Sequence, residues 1–376
     1  MAIAIVPVNN DNLSLVAQAG SKFGMPRSER WFRKCLFDPT VEDLVHDDCR
    51  GHMAVKDGNE VVAIQCYYYI PIYFRQKKML MTTGCIMGAD KKYGEWLLCC
   101  LDENRKCQNK GAIGVGNCIA NRRSARICAV YHKLKEAPAQ ARQLRRGIPS
   151  CPLYLIHALR KFCHLPTGLL KIAWWTVYPI VAFCNLCKTL LSVMNGYRIV
   201  QYDKIDTQKF EEFWQRYLSE NNGVVTSRDP QRLSWLFDDS LAAKMVRIVA
   251  AEKDGKIQGY ALLRRYPRED GFFNNHSLYD ICAVGNDKKC LKVLMRGALS
   301  SSAKDYGLLM RYVGALPEQD IWLAPFMRWW TQLDHSTIFY GSRNVEIINS
   351  VERGEGWFLG PMDGERCMGC GRYIDL

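Results

Sequence analysis

His52-Met-Ala-Val-Lys-Asp57-Gly58-Asn-Glu-Val61-Val-Ala-Ile-Gln-Cys-Tyr-Tyr-Tyr69 reads as a strand, a turn and a strand. Two apolar, β-branched and aromatic runs are joined by Asp-Gly, a dipeptide that tolerates the positive φ of a tight hairpin turn. The pattern returns as Val246-Arg-Ile-Val-Ala-Ala251, Lys253-Asp254-Gly255-Lys256 and Ile257-Gln-Gly-Tyr-Ala-Leu-Leu-Arg264. The two Asp-Gly turns lie about 197 residues apart.

The flanks of the two hairpins match as well. Upstream of the first stand a short strand, Ile3 to Val8, a helix with an Asx cap, Asp11 to Ala19, and a Trp-bearing helix, Arg30 to Phe37, stopped at Asp38-Pro39. Upstream of the second stand a helix, Lys209 to Tyr217, and a Trp-bearing helix, Pro230 to Asp239. Downstream of the first come the strand Met79 to Met87, the loop Gly88 to Gly94, the helix Glu95 to Asn104 and the strand Ala112 to Gly116. Downstream of the second come Leu278 to Val284, Gly285 to Lys289, a helix from Cys290 to Lys304, and Leu308 to Val313. One α+β unit is therefore read twice. The expected layout is a first domain over 1–137, a basic and apolar helical connector over 138–196, and a second domain over 197–376. Strand, Gly/Lys loop and helix in that order make an anion site, because backbone N–H groups open the helix and lysines stand beside them.

A chain of 376 residues has room for two cores, and 48 % hydrophobic with 24 % charged residues excludes disorder. The seventeen cysteines show no framework spacing, and the first residues lack the charged-then-apolar pattern of a signal peptide. Reduced thiols and a cytoplasmic location are expected. Cys184/Cys187 and Cys367/Cys370 are two C-x-x-C pairs that together would make four zinc ligands. The first pair sits in an apolar run, where thiols are usually packing residues, so no metal is expected.

The middle of the chain is unlike either flank. Residues 122–171 carry eleven Lys or Arg against one acid, Glu136, a net +10 of the chain's +13. The run Ile172-Ala-Trp-Trp-Thr-Val-Tyr-Pro-Ile-Val-Ala-Phe-Cys184 follows. Cations beside an aromatic apolar segment suit an anionic membrane surface, here over 142–190, at the inner face of the membrane. The sixteen residues between Lys171 and Lys188 would make about 24 Å of helix, short of a bilayer core of about 30 Å. Docking without spanning is the reading; a linker packed on the flanking domains is the bland alternative. Nucleic acid is the third reading of the charge, and no recognition motif accompanies it.

Arg228-Asp-Pro-Gln-Arg-Leu-Ser-Trp235-Leu-Phe is similar to the "R-D-x-x-x-L-x-W-R-F" helix, and Arg30-Trp31 to Pro39 to the "W-x-x-x-x-x-N-P" segment, of the GNAT acyltransferase superfamily in its tandem form. Members of that form often accompany polysaccharide or envelope biosynthesis. The hairpins and Gly356 to Gly364 also fit, so the resemblance covers most of the chain except its middle. It implies two mixed, mostly antiparallel sheets with helices on both faces, each splayed where acyl-CoA would enter. It also implies a pyrophosphate loop of form R/Q-x-x-G-x-G/A. Here that place holds Lys91-Lys92-Tyr93-Gly94-Glu95, following Met87, with one glycine and lysines as point charges. The second copy has Asn286-Asp-Lys-Lys289 with no glycine inside the run and is expected to hold no cofactor. The family motif N-x-x-S/A-x-x-L-Y resembles Asn121-Arg-Arg-Ser124-Ala-Arg-Ile127, with Cys128 at the position of the Tyr that protonates the departing thiolate and Tyr131 near it. The resemblance therefore makes Asn121, Cys128 and Tyr131 the catalytic candidates, and Met87, Lys91 to Glu95, Asn121 and Ser124 the acyl-CoA contacts. No general base stands out: Glu95 and His52 have no partner at helix or strand spacing.

The activity implied is transfer of an acyl group, most simply acetyl, from acyl-CoA to a primary amine, either a small molecule or a lipid-linked intermediate. The alternatives are a non-catalytic scaffold that keeps the fold, and a Fem-like aminoacyl transferase using the basic stretch to hold tRNA. Oligomeric state cannot be read from the sequence.

Overall fold

The computed structural model of the protein describes residues 2–106, 111–119, 133–136, 144–149, 196–268, 273–314, 330–333 and 336–353, with single positions between 129 and 187. Its strands form two sheets. The first runs β1 (Ile3–Pro7), β2 (Gly51–Lys56), β3 (Glu60–Phe74), β4 (Lys77–Ala89) and β5 (Ile113–Ile119), antiparallel except for the parallel β4/β5 pair. The second runs β8 (Arg198–Tyr202), β10 (Val246–Lys253), β11 (Lys256–Pro267), β12 (Asn274–Ala283) and β13 (Gly307–Gly314), again antiparallel except for β12/β13. Order and sense of pairing are the same in both.

Beyond β5 and β13 each sheet takes its next strand from the other half of the chain. β15 (Ser336–Ser342) lies against β5, and the two-residue β6 (Lys135–Glu136) lies beyond it. β7 (Leu144–Pro149) lies against β13, with β14 (Trp330–Leu333) outside it. β9 (Val224–Thr226) pairs with the far end of β3. The stretch 144–149, expected within a helical connector, is thus a strand. The open edge of β13 supplies a row of unpaired backbone groups, and pairing with it outweighs the weak local preference of Leu-Arg-Arg-Gly-Ile-Pro.

Both Asp-Gly turns form as expected. Asp57 and Gly58 have φ of 49° and 81°, and Asp254 and Gly255 have 52° and 74°, so both central residues sit in the left-handed region. The register slips at equivalent places just before each turn, between Ala54 and Val55 and between Ala251 and Glu252. A third hairpin is not legible in the sequence. β3 runs on through Pro71 to Phe74 and returns at Arg75-Gln76, both with positive φ.

Helices cover both faces of each sheet. On the first, α1 (Leu13–Lys22) and α2 (Glu29–Leu36) pack one face, while α3 (Gly94–Lys106) packs the other, its Cys100 against Ala54, Val62 and Ala63. On the second, α4 (Thr207–Ser219) and α5 (Pro230–Ala242) lie on one face and α6 (Lys288–Lys304) on the other. A last helix, α7 (Val345–Glu352), follows β15. Side-chain caps begin α2 (Ser28), α4 (Asp206), α5 (Asp229), α6 (Asp287) and α7 (Asn344). The inner faces merge: Trp31 and Phe32 of one half share a core with Phe210, Phe213, Trp214 and Tyr260 of the other. Polar contacts lock the same seam. Trp235 donates to the Lys34 carbonyl at 3.1 Å, Arg30 pairs with Asp239 at 2.8 Å, and buried Arg232 lies 3.5 Å from Asp38.

Candidate functional site

The site is built by a parallel strand pair that stops pairing. β4 and β5 are in register at Met81/Ile113, Thr82/Gly114 and Thr83/Val115. Beyond Thr83, β4 continues to Ala89 and β5 to Ile119 without further pairing between them, while β15 pairs with β5 along its whole length on the other side. The divergence coincides with a bulge: Tyr67 faces Gly84 and Cys66 faces Ile86, so Cys85 is the extra residue. Gly84 is exposed in mid-strand, and a Cβ added there would meet nothing within 4 Å. From Gly84 onward β4 therefore has no strand partner on the β5 side among the described residues. Its backbone can receive an amide-bearing ligand as an added strand would be received.

β4 then turns into a helix start. A short 3-10 turn, Lys91–Tyr93, leads into α3 at Gly94, and the Asp90 side chain makes no cap hydrogen bond. Instead Asp90 pairs with Lys22 at 2.7 Å. Lys91, Lys92, Gly94 and Glu95 are exposed at this end, Met87 is half-buried on β4, and Tyr93 packs partly against the α3 core. A Cβ at Gly94 would also meet open space. These residues are brought together; Asn121, Ser124, Cys128 and Tyr131 lie outside the described residues.

The second sheet repeats the divergence with different residues at the bulge. β12 and β13 pair from Asn274/Gly307 to Leu278/Tyr312 and then part. Leu262 faces Asp280 and Leu263 faces Leu278, so the extra residue is Tyr279, a buried aromatic where the first sheet has Cys85 beside Gly84. Its hydroxyl takes a hydrogen bond from Arg264 Nη1 at 3.3 Å and lies 3.2 Å from the Tyr266 hydroxyl. Asp280 beside it accepts from Arg228 at 2.8 and 3.0 Å and from Tyr260 at 2.7 Å. Asp287 caps α6 by accepting from the Lys289 N–H at 2.8 Å and also receives the Tyr197 hydroxyl. Burial alone would raise the Asp287 carboxyl, but Tyr197 and the N–H groups of Lys289 and Cys290 hold it below the usual carboxylate range. A carboxylate already sits where an incoming anion would bind.

Two features escaped the sequence. Arg264 is 3 % exposed, lies over the rings of Tyr266 and Tyr279, and its Nε has no hydrogen-bond partner among the described residues. His52, which has no partner at helix or strand spacing, lies with Nδ1 2.6 Å from Asn104 Oδ1 and Nε2 4.0 Å from Cys49 Sγ. Asn104 is at the far end of α3 from the lysines, and only the packing of α3 on β2 brings the two together. Among the described residues no group of three or more His, Cys, Asp or Glu is placed to hold a metal. The C-x-x-C pairs fall outside them, apart from Cys187.

No protein-family model and no curated protein matches the sequence. Solved structures do. A GCN5-related N-acetyltransferase from Anabaena variabilis superposes with a TM-score of 0.55 at 11 % identity, over 92 % of this chain and 74 % of that one. A probable N-acyltransferase from Enterococcus faecalis gives 0.53 at 11 %, over 92 % and 74 %. Saccharomyces cerevisiae N-myristoyltransferase with bound myristoyl-CoA gives 0.50 at 12 %, over 90 % and 79 %. At such identities the likeness is one of fold: the chain has the GNAT, or acyl-CoA N-acyltransferase, fold, with mostly antiparallel mixed sheets and helices on both faces.

Proposed function

We propose that the protein is an N-acyltransferase that takes an acyl group, most simply acetyl, from acyl-CoA and gives it to a primary amine. The observation that carries this is the open divergence of β4 from β5 at Gly84 and Cys85, leading into a lysine-bearing helix start that no side chain caps. In this reading the pantetheine lies along the free edge of β4, while Lys91, Lys92 and the first N–H groups of α3 take the pyrophosphate. The thioester carbonyl then meets an N–H of β4, and the amine attacks it directly with no acyl-enzyme intermediate. The stretch after β5 that holds Asn121, Ser124, Cys128 and Tyr131 supplies the proton to the leaving thiolate.

We read the chain as a tandem of two copies, supported by the common strand order, the equivalent bulges and the paired Asp-Gly turns. The filled bulge at Tyr279 and the Asp287 cap support leaving the acyl donor to the first copy and the acceptor side to the second. An amino sugar or amino acid of an envelope or polysaccharide precursor is the acceptor class proposed. One observation favours a non-catalytic scaffold instead: the phosphate loop has the single glycine Gly94 and two exposed lysines. Release of CoA thiol from acetyl-CoA, followed across a panel of primary amines, separates the two. Amine-dependent release supports the transferase; none with any amine, together with no acetyl-CoA binding, supports the scaffold.

A further inference from the structure

Cys49, His52 and Asn104 meet apart from the residues assigned to acyl-CoA. His52 Nδ1 lies 2.6 Å from Asn104 Oδ1, and Nε2 lies 4.0 Å from Cys49 Sγ. Asn104 Nδ2 donates to the Gln65 carbonyl at 3.2 Å, which turns the amide oxygen toward the ring. An amide oxygen only accepts, so Nδ1 carries the hydrogen of the neutral imidazole and Nε2 keeps its lone pair. That lone pair faces the thiol.

The backbone holds this arrangement. Gly51 has φ of 126°, and a Cβ there would come within 2.3 Å of the Gln65 carbonyl oxygen. Glycine lets the chain turn here into β2, with Cys49 and His52 on one side. Buried Arg50 pins the loop by donating to the carbonyls of Leu36 and Asp47 at 2.8 Å each and of Cys49 at 3.4 Å. Asp47 accepts the Cys49 N–H at 2.9 Å, and exposed Asp48 is the other charge of the loop. The thiol also lies 3.2 Å from the Gly51 carbonyl, so rotation about Cβ–Sγ aims its hydrogen at that oxygen or at Nε2. Cys49 and His52 are half-buried and Asn104 is buried.

A thiol, an imidazole nitrogen able to take its proton and an amide that fixes the tautomer make a nucleophilic triad. We propose that Cys49 accepts an acyl group from a thioester, as a second acyl acceptor beside the amine. Sγ bonds the carbonyl carbon, the bond from that carbon to the departing sulfur breaks, and the Cys49 proton passes through His52 Nε2 to the departing thiolate. One thioester replaces another, so the exchange needs no further reactant. His52, Gln65 and Met87 are paired in one row across β2, β3 and β4, which sets His52 two strand spacings, about 10 Å, from β4. The choice of a thioester rests on the acyl-CoA reading; the base-assisted thiol does not.

The test is alkylation of the full chain by iodoacetamide, followed for each cysteine by mass spectrometry of its peptide. Cys99 is exposed and serves as the reference within the same molecule. Cys49, although half-buried, should react at pH 7 about tenfold faster than Cys99. His52→Gln should bring Cys49 to the Cys99 rate or below it while the Cys99 rate stays unchanged. Asn104→Ala should move the pH profile of Cys49 alkylation to that of an ordinary thiol. S-acetyl-N-acetylcysteamine, a thioester with no nucleotide, should leave one hydroxylamine-labile acetyl group on Cys49 of the wild type and none in His52→Gln. Cys49 no faster than Cys99, or equally fast in His52→Gln and the wild type, would overturn the triad. Fast alkylation without acetylation would overturn the thioester assignment. Neither outcome depends on acetyl-CoA binding at β4, which calorimetric titration reports separately.

Discussion

At the scale of single residues, the polar groups inside the second half are the most informative. Asp305, 12 % exposed at its side chain, lies 3.2 Å from His276 Nε2, 3.1 Å from Arg247 and 3.5 Å from Arg265. Burial pushes its carboxyl up; the His276 hydrogen bond and the charges of Arg247, His276 and Arg265 outweigh burial and hold it low. A carboxyl with a folded-state value below its unfolded one of about 3.9 stabilises the fold above that pH and loses the effect as pH falls through the folded value. Asp305→Asn is therefore predicted to cost about 1–3 kcal/mol at neutral pH. Denaturant titrations of both proteins should converge below about pH 4, and a gap that stays constant would refute the assignment. None of this was legible in the sequence, because Arg247 on β10, His276 on β12 and Asp305 after α6 are far apart in the chain and meet only through the pairing of the second sheet. Likewise Arg264 reads as one more strand-end cation until the packing of Tyr266 and Tyr279 around it is seen.

At the scale of elements, the sequence was most legible where local chemistry decides. Asp57-Gly58 and Asp254-Gly255 set two hairpins, Asp38-Pro39 ends α2, and the strand, Gly/Lys loop and helix order appears in both halves. It was least legible where pairing decides. Arg75-Gln76 has no turn signature, yet both residues take positive φ because β3 and β4 pair for their whole length around them. The asymmetry of the two helix starts was half visible: the single glycine could be read, the Asp287 cap could not. The uncapped start of α3 leads to a prediction. Lys91→Ala with Lys92→Ala should leave the unfolding midpoint unchanged, since both side chains are exposed, and weaken acetyl-CoA binding about tenfold, the worth of two solvated phosphate contacts. Calorimetric titration gives the answer; equal affinity would mean that the pyrophosphate lies elsewhere.

At the scale of the whole molecule, a linear division of the chain at 137 and 196 does not follow its sheets. β15 completes the first sheet from near the end of the chain, β7 completes the second from the basic middle, and β9 extends β3. Separate expression of residues 1–137 would expose the β5 edge and strip Trp31, Phe32, Ile70 and Ile72 of the core they share with α4 and α5. That fragment is predicted to aggregate or to unfold without cooperativity, and a monomer with a sharp thermal transition would show that the exchanged strands are dispensable. Periodicity could locate the two copies but not this exchange, because which strand closes a sheet depends on pairings more than 150 residues apart.

The most direct test of the central claim, that acyl-CoA binds where β4 and β5 part, is made at Gly84, the exposed glycine beside the last paired residue Thr83. Gly84 has an ordinary strand backbone and open space where a Cβ would be, so Gly84→Leu should fold as stably as the wild type. Thermal unfolding is followed for both proteins with acetyl-CoA. At a hundredfold excess over Kd the wild type should gain about 2.7 kcal/mol, and Gly84→Leu, with a bulky side chain in the open space beside the divergence, should gain nothing. Equal stabilisation of both proteins, or of neither, would contradict the account.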